Sequence, residues 1–193
     1  MNYSVLYDSV KIMGRPKKFE RDEVLEKAIP LFWKRGFADT GLQDLEKATG
    51  VNKSGLYSEF KNKEDLFMSC LMHYAKTSKG GEILSAEPLG WKNIENFFDY
   101  VLTNGKGCFA VNSMRDLALL PKEAQSIMTE SRAGLRRILA RNISVEKTNT
   151  PSETLAGLLL ILFSGIAIEQ NLQTGKALPD RKIKDFIRLV RDM

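Results

Sequence analysis

The chain has 193 residues, of which 43% are hydrophobic and 27% charged, and its formal net charge is +5. These proportions exclude a disordered chain and supply enough apolar residues for one or two compact domains. Two cysteines, Cys70 and Cys108, are too few for a disulfide framework, and no segment has the pattern of a secretory signal. We therefore expect a cytoplasmic protein.

Positive charge is concentrated near the start of the chain. Between Lys11 and Lys18 the sequence has four basic residues and no acidic one, whereas beyond Gly80 the two signs are interspersed. This distribution predicts a flexible basic arm over residues 1–15, ahead of a globular region of mixed charge.

Apolar residues at helical spacing predict the first helix at about 22–35. Val24, Ala28 and Phe32 recur on one face, and Gly36 follows a basic last turn, which is typical of a helix end. The arm is therefore expected to lead directly into a helix that packs on a core.

Two short helices are predicted next. Thr40 is the expected N-cap of the second helix, which Gly50 ends, and a third helix follows at 53–60. Asn62 is the expected cap of a longer fourth helix, whose first turn is acidic, as the helix dipole favours.

The rest of the chain also has helical patterns, after a break rich in Gly and Ser at 78–90. Helices are predicted at about 91–103, 108–119, 121–143, 152–172 and 180–191. Because no segment shows strand periodicity, the fold class is predicted to be all-α. The apolar run at 155–168 is shorter than a membrane-spanning helix requires, so we interpret it as a buried helix and expect no membrane association.

The second and third helices, joined by a tight turn at Gly50, match a helix-turn-helix unit. In this unit the second helix enters the DNA major groove by its N-terminal end. Lys53 can reach a phosphate or a guanine edge and Ser54 can bond to either, while Gly55 lets the backbone approach closely. These weak helix formers are therefore interpreted as a contact face.

The stretch "RGFADTGLQDLEKATGVNKSGLYSEFKNKEDLF" resembles the DNA-binding domain of the tetracycline-repressor (TetR) family of bacterial transcriptional regulators. The resemblance covers about residues 16–68. The positions at the family's spacing are Gly36, Phe37, Thr40, Gly50, Val51, Leu56, Tyr57, Phe60 and Lys63. It implies an N-terminal three-helix DNA-binding domain at 16–61, joined by helix 4 to a larger helical ligand-binding and dimerisation domain at 62–193.

The resemblance also implies which residues contact DNA. Thr40, Tyr57 and Lys63 would contact phosphates, and the start of helix 3 would face the groove. The complete expected set is Arg15, Lys17, Lys18, Thr40, Asn52, Lys53, Ser54, Gly55, Tyr57, Ser58 and Lys63. Thr40 acting only as a cap, Tyr57 as a core aromatic and the arm as a solvated tail remain open alternatives.

The C-terminal part is implied to hold a small apolar effector and the dimer interface. The expected cavity residues are Phe67, Leu71, Tyr74, Phe97, Val101, Phe109, Met114, Met128 and Phe163, although the same residues suit a solid core. Small residues in the helix at 152–172 and an apolar stripe in that at 180–191 favour homodimerisation through this pair, and an intrachain core is the alternative.

We expect neither a metal site nor a cofactor. His73 and Cys70 are one helical turn apart, but a metal site needs more ligands than this pair supplies. The sequence has no nucleophile motif and no phosphate loop, which disfavours an enzyme. The sequence thus predicts a ligand-responsive repressor that binds a pseudo-palindromic DNA operator as a dimer. The alternative is a constitutive or architectural DNA-binding protein.

Overall fold

The computed structural model describes residues 19–172 and 180–193. In these segments the chain forms ten α-helices and one 3-10 helix, and no strand. The α-helices are α1 (Arg21–Arg35), α2 (Leu42–Thr49), α3 (Lys53–Glu59), α4 (Lys63–Thr77), α5 (Lys79–Leu84), α6 (Trp91–Asn104), α7 (Phe109–Asn112), α8 (Lys122–Ser144), α9 (Ser152–Asn171) and α10 (Asp180–Asp192), and the 3-10 helix spans Ser113–Leu119. The all-α prediction is confirmed.

The start of α2 differs from the prediction. Its N-cap is Gly41, whose amide donates to the carboxylate of Asp44 at 3.2 Å, so the prediction of Thr40 as the cap is wrong. The Thr40 hydroxyl points back toward the first helix and donates to the carbonyl of Gly36 at 2.6 Å. This bond ties the α1–α2 connection to the end of α1.

The predicted break at 78–90 contains the short helix α5. A buried side chain, Asn142 of α8, holds the connection that follows. Its amide donates to the carbonyl of Leu84 at 2.8 Å, and its oxygen accepts from the amides of Gly90 at 3.0 Å and Asn93 at 3.1 Å. The glycine and serine content of this segment predicted a loop. The structure has instead a short helix and a connection held by side-chain hydrogen bonds from α8.

The helix predicted at 108–119 is divided into α7 and the 3-10 helix. At the junction the Ser113 hydroxyl donates to the carbonyl of Phe109 at 2.8 Å, in the preceding turn. Such back-bonding competes with the regular ladder and bends helices. The segment therefore changes from an α-helix to a 3-10 helix where a single helix was expected.

Two hydrophobic cores lie along the molecule. The first joins α1–α4 and extends beyond the predicted boundary at 61/62, because Phe67 of α4, Phe109 of α7 and Met128 of α8 are buried in it. The second joins α6 and α8–α10, with Phe98 and Leu159 at its centre. The N-terminal helices are consequently packed directly against the C-terminal part.

Helix α9 is the one helix of the described ranges that is long and apolar enough, by length and composition alone, to cross a membrane. About 39% of its most apolar stretch is buried within the protomer. Leu155, Leu159 and Ala167 are fully buried in the second core. The sequence predicted that the apolar run at 155–168 is buried. In the structure one face of α9 is buried and the opposite face is exposed.

Candidate nucleic-acid interface and interior cavity

The first turn of α3 presents polar side chains outward from a buried anchor. Leu56 is only 1% exposed, whereas Lys53, Ser54 and Ser58 are exposed. Asn52 is the N-cap of the helix, and its side-chain oxygen accepts from the amide of Gly55 at 2.9 Å. The cap thus fixes the turn, and the side chains predicted to read DNA face solvent.

Tyr57 is 42% exposed, so the alternative of a fully buried aromatic is not what the structure has. The ammonium group of Lys53 lies 5.9 Å from the centre of its ring, within the range of a cation–π contact. Both groups are therefore accessible on one surface, which we call the α3 face (residues 52–54, 57 and 58).

Close packing within the protein favours glycine at position 55, and the sequence alone did not reveal this packing. A Cβ atom at this position would lie 2.6 Å from Cγ1 of Val51 and 3.3 Å from a ring carbon of Phe19. The glycine lets α3 pack closely on its own turn. A larger residue here would require the Val51 side chain to shift, which favours glycine independently of any contact with DNA.

The side chains of Thr40 and Lys63 both contact the connection between α1 and α2. Thr40 is fully buried, with its hydroxyl already donated. The Lys63 ammonium donates to the carbonyls of Phe37 at 2.9 Å and Thr40 at 3.0 Å and lies 4.3 Å from the centre of the Phe37 ring. In this arrangement both side chains hold the α1–α2 connection. The Thr40 hydroxyl is not available to donate to a phosphate, whereas the ammonium group of Lys63 has a third donor, so its phosphate contact stays a prediction.

The acidic groups near the α3 face are engaged. Arg35 pairs with Asp44 at 2.7 Å and, as the main cause, lowers the pKa of that carboxyl. Arg21 pairs with Glu59 at 3.1 Å, and the Glu46 carboxylate accepts from the amide of Lys53. The two ion pairs offset the negative charges of Asp44 and Glu59, which favours approach of an anionic partner, whereas the Glu46 carboxylate accepts only from a neutral amide.

Arg15, Lys17 and Lys18, the residues near the start of the chain that are expected to contact DNA, lie outside the described residues. Their expected DNA contacts stay predictions.

A cavity of about 530 Å³ lies between the end of α4 and helices α5–α9. Six of the nine predicted residues line it: Tyr74, Phe97, Val101, Met114, Met128 and Phe163. Phe67, Leu71 and Phe109 do not line it. Phe67 packs instead against Phe32, with ring centres 5.1 Å apart, and against Phe109 at 5.8 Å, because this face of α4 is turned toward α1.

Sequence reasoning missed several other residues that line the cavity. Trp33 reaches it from α1, and the charged side chains at its wall come from α5, the α6–α7 loop and α8: Lys79, Lys106 and Arg132. Trp33 was detectable as an aromatic beside the buried stripe of α1. The three cations carry no local signal, since a surface lysine or arginine has the same sequence appearance.

The cysteines are buried and protonated rather than poised for reaction. Burial raises the pKa of Cys108, whose thiol contacts the Tyr74 hydroxyl at the cavity wall, and burial also raises the pKa of Tyr74. Burial likewise raises the pKa of Cys70, which donates weakly to the carbonyl of Leu25 at 3.9 Å. Within residues 19–172 and 180–193, no group of three His, Cys, Asp or Glu side chains is arranged to hold a metal ion.

One segment connects the cavity to the N-terminal helices. Met114 lines the cavity, and its neighbours reach the end of α1: the Asn112 amide donates to the carbonyl of Trp33, and Asp116 accepts from the amide of Phe37 at 2.7 Å. The cavity wall and the end of α1 therefore share a hydrogen-bonded link.

Residues 24–70 match the family model described as "Bacterial regulatory proteins, tetR family". The N-terminal region of the chain is thus a tetR-family DNA-binding region. The TetR resemblance of the helix-turn-helix is thereby confirmed, and the matched residues include α2, α3 and the α3 face.

Curated relatives agree over the same region. The chain is 52% identical over 64 residues to the HTH-type transcriptional repressor ComR of Escherichia coli K12, a stretch that is 33% of this chain and 30% of that protein. It is 32% identical over 109 residues to the uncharacterized HTH-type transcriptional regulator YezE of Bacillus subtilis 168, covering 52% and 56% of the two chains. The matches thus span less than two thirds of either relative.

Solved TetR-type structures extend the likeness in fold to almost the whole chain. Reduced E. coli NemR superposes with a TM-score of 0.78 at 20% identity, covering 88% of this chain and 95% of that one. The TetR family regulator CifR, solved with double-strand operator DNA, gives a TM-score of 0.73 at 20% identity, covering 92% and 98%. These likenesses establish the two-part helical fold.

Proposed function

We propose that this TetR-family chain is a transcriptional repressor that binds operator DNA through the α3 face. The observation that carries the proposal is the arrangement of α3: Leu56 anchors it in the core while Lys53 and Ser54 of its first turn stand free at the surface. A helix held this way enters a major groove by its N-terminal turn. The repressor name of ComR and the operator complex of CifR support the same role.

Tyr57 and Ser58 extend the proposed contact beyond the first turn. The Tyr57 hydroxyl suits a phosphate oxygen, and such contacts position a protein on the duplex, whereas Lys53 and Ser54 suit base edges. The Ser58 hydroxyl donates to the carbonyl of Gly55 at 2.7 Å, so a phosphate contact from Ser58 requires its rotation. The ion-paired state of Asp44 and Glu59 reduces repulsion between this surface and the DNA backbone.

We further propose a homodimer formed through α9 and α10. On α9, the residues Ile161, Gly165, Ile168 and Leu172 share one face, and the three apolar side chains are 64%, 51% and 62% exposed. On α10, Leu189 is 65% exposed. Exposed apolar stripes of this kind are typical of an interface, and a two-fold pair would place two α3 faces on a pseudo-palindromic site.

Release of DNA by a small apolar effector is the third part of the proposal. The cavity of about 530 Å³ is of ligand size, and the link from Met114 through Asp116 to Phe37 offers a route to the DNA-binding helices. A constitutive DNA-binding protein without a ligand would have no need of this cavity, so the open space favours the effector-responsive alternative.

The test is fluorescence anisotropy with duplexes from the DNA flanking the gene, compared with scrambled duplexes. We expect tight binding of one flanking duplex, with a logarithmic salt dependence that reflects several neutralised phosphates. Lys53→Ala should weaken binding to this duplex. Equal affinity for every duplex would contradict the specific repressor and favour an architectural DNA-binding protein.

A further inference from the structure

The charges around the cavity all have the same sign. Among the described residues that line it, Lys79, Lys106 and Arg132 are cationic and none is acidic. This contrasts with the chain as a whole, which has 29 basic and 24 acidic residues. A wall with one sign of charge creates a potential that attracts the opposite sign.

Two of these cations have no carboxylate partner in the described part of the chain. The Arg132 guanidinium donates to the Ser164 hydroxyl at 2.9 Å, a neutral partner that leaves its charge uncompensated. Lys106 makes no ion pair there, and Lys79 is paired with Glu82 at 2.7 Å. By comparison, Arg136, one turn beyond Arg132 on α8, pairs with Glu153 at 3.1 Å.

The remainder of the wall is apolar and aromatic. Trp33, Phe97, Met128 and Phe163 contribute to it, and Leu160 closes it from α9. Such a surface suits a hydrocarbon or aromatic body, and Arg132 and Lys106 suit an anionic head through charge-assisted hydrogen bonds.

We infer that the effector is an amphipathic anion, with an apolar body among the aromatic side chains and a carboxylate or similar head held by Arg132 and Lys106. The inference rests on the proposed function, which needs an effector, and narrows the chemical class from apolar molecules to apolar acids. A neutral molecule of the same body would leave both cations without an anionic partner. A cationic one would be repelled.

Three probes with the same ten-carbon chain test the head group: decanoate, decan-1-ol and decylammonium, each below its micellar concentration. Trp33 lines the cavity, whereas Trp91 is buried elsewhere, so a Trp91→Phe background makes Trp33 fluorescence the readout. We expect decanoate to bind about tenfold more tightly than decan-1-ol, since only its head gains a charge-assisted bond. Decylammonium should bind most weakly.

The variants Arg132→Gln and Lys106→Gln, combined, should reduce the decanoate affinity to that of decan-1-ol. Arg136→Gln is the matched control and should keep the preference, because Arg136 does not line the cavity. Equal affinities for decanoate and decan-1-ol, tighter binding of decylammonium, or no response to decanoate would each overturn the inference. Operator binding is measured on the same samples. If the protein does not bind the operator, the proposed function is overturned. If it binds the operator but the cavity does not distinguish the three probes, only the proposed class of ligand is overturned.

Discussion

The backbone amide of Phe37 donates to Oδ2 of Asp116 at 2.7 Å, joining residues 79 positions apart in the chain. Phe37 begins the connection between α1 and α2, and Asp116 lies in the 3-10 helix two residues beyond the cavity residue Met114. One hydrogen bond thus links the helix-turn-helix to the cavity wall.

Removing this link should destabilise the protein. Asp116→Ala leaves the Phe37 amide without its acceptor in a buried position, which costs about 1–3 kcal/mol in free energy of unfolding. Urea unfolding followed by circular dichroism measures the change. Asp99→Ala is the control: Asp99 forms an exposed pair with Lys184 at 3.0 Å, so its loss should cost about 1 kcal/mol or less. Similar losses for both variants would contradict the role given to Asp116.

Lys63→Ala should act mainly on stability. Its ammonium group bonds to the carbonyls of Phe37 and Thr40. Hydrogen bonds of charged groups contribute about 1.5–3 kcal/mol of net stability each, and because Lys63 is only half-buried we expect a combined loss of about 1–3 kcal/mol. Lys61→Ala, at an exposed lysine nearby, should change stability by about 0.5 kcal/mol or less. A Lys63→Ala protein of normal thermal stability that has lost salt-dependent DNA binding would instead favour the phosphate contact predicted from the sequence.

Substitutions on the α3 face should change sequence preference. Lys53→Ala or Ser54→Ala should weaken operator binding by about 1–3 kcal/mol for each bidentate contact with a base that is lost. Binding to a scrambled duplex should be weakened by a smaller amount. Anisotropy titrations on both duplexes separate the two effects. Lys92→Ala, at an exposed lysine of α6, is the control and should bind both duplexes as the wild type does. Equal weakening on the two duplexes would assign Lys53 and Ser54 to phosphates alone.

Ile161→Lys should produce monomers. The side chain is exposed in the protomer, so the substitution is tolerated there but places a charge in the proposed α9–α10 interface. Sedimentation velocity measures the state of association, and operator affinity should fall with loss of the dimer. Val145→Lys provides the comparison, because Val145 is 59% exposed but follows the end of α8. A dimer that persists in Ile161→Lys would exclude this surface.

The buried thiol of Cys70 predicts a loss of stability at alkaline pH. Its pKa is raised above the ordinary value of 9.0, so the folded state retains a proton that the unfolded state releases. This contribution to stability is complete below pH 9 and decreases above it, with a slope approaching about 1.4 kcal/mol per pH unit. Cys70→Ala lacks the contribution, so its free energy of unfolding should fall less steeply between about pH 9 and 10.5. Parallel profiles for the two proteins would show that the thiol does not contribute.

The sequence predicted the helices whose signals are local. The boundaries of α1 and α6 agree closely with expectation, because apolar periodicity and terminal glycines are both present within each segment. The α3 face was also predictable, since its polar residues interrupt an otherwise strong helix pattern.

Features that depend on distant partners were not predictable in the same way. Asn142 supports the 84–90 connection from 52 residues away, and its sequence neighbourhood resembles any helix. The side of α4 on which Phe67 lies was set by aromatic partners on α1 and α7. The sequence therefore predicted six of the residues that line the cavity. Its cations could not be predicted, because their position at the cavity depends on how distant helices pack.

The adjacent residues Cys108 and Phe109 are buried in different hydrophobic cores. Because the chain changes core between neighbouring residues and Ala110 of α7 packs against both cores, we expect unfolding of one core to disrupt the other. The protein should consequently denature as one cooperative unit, giving a single calorimetric endotherm in which the helix-turn-helix and the C-terminal helices are lost together.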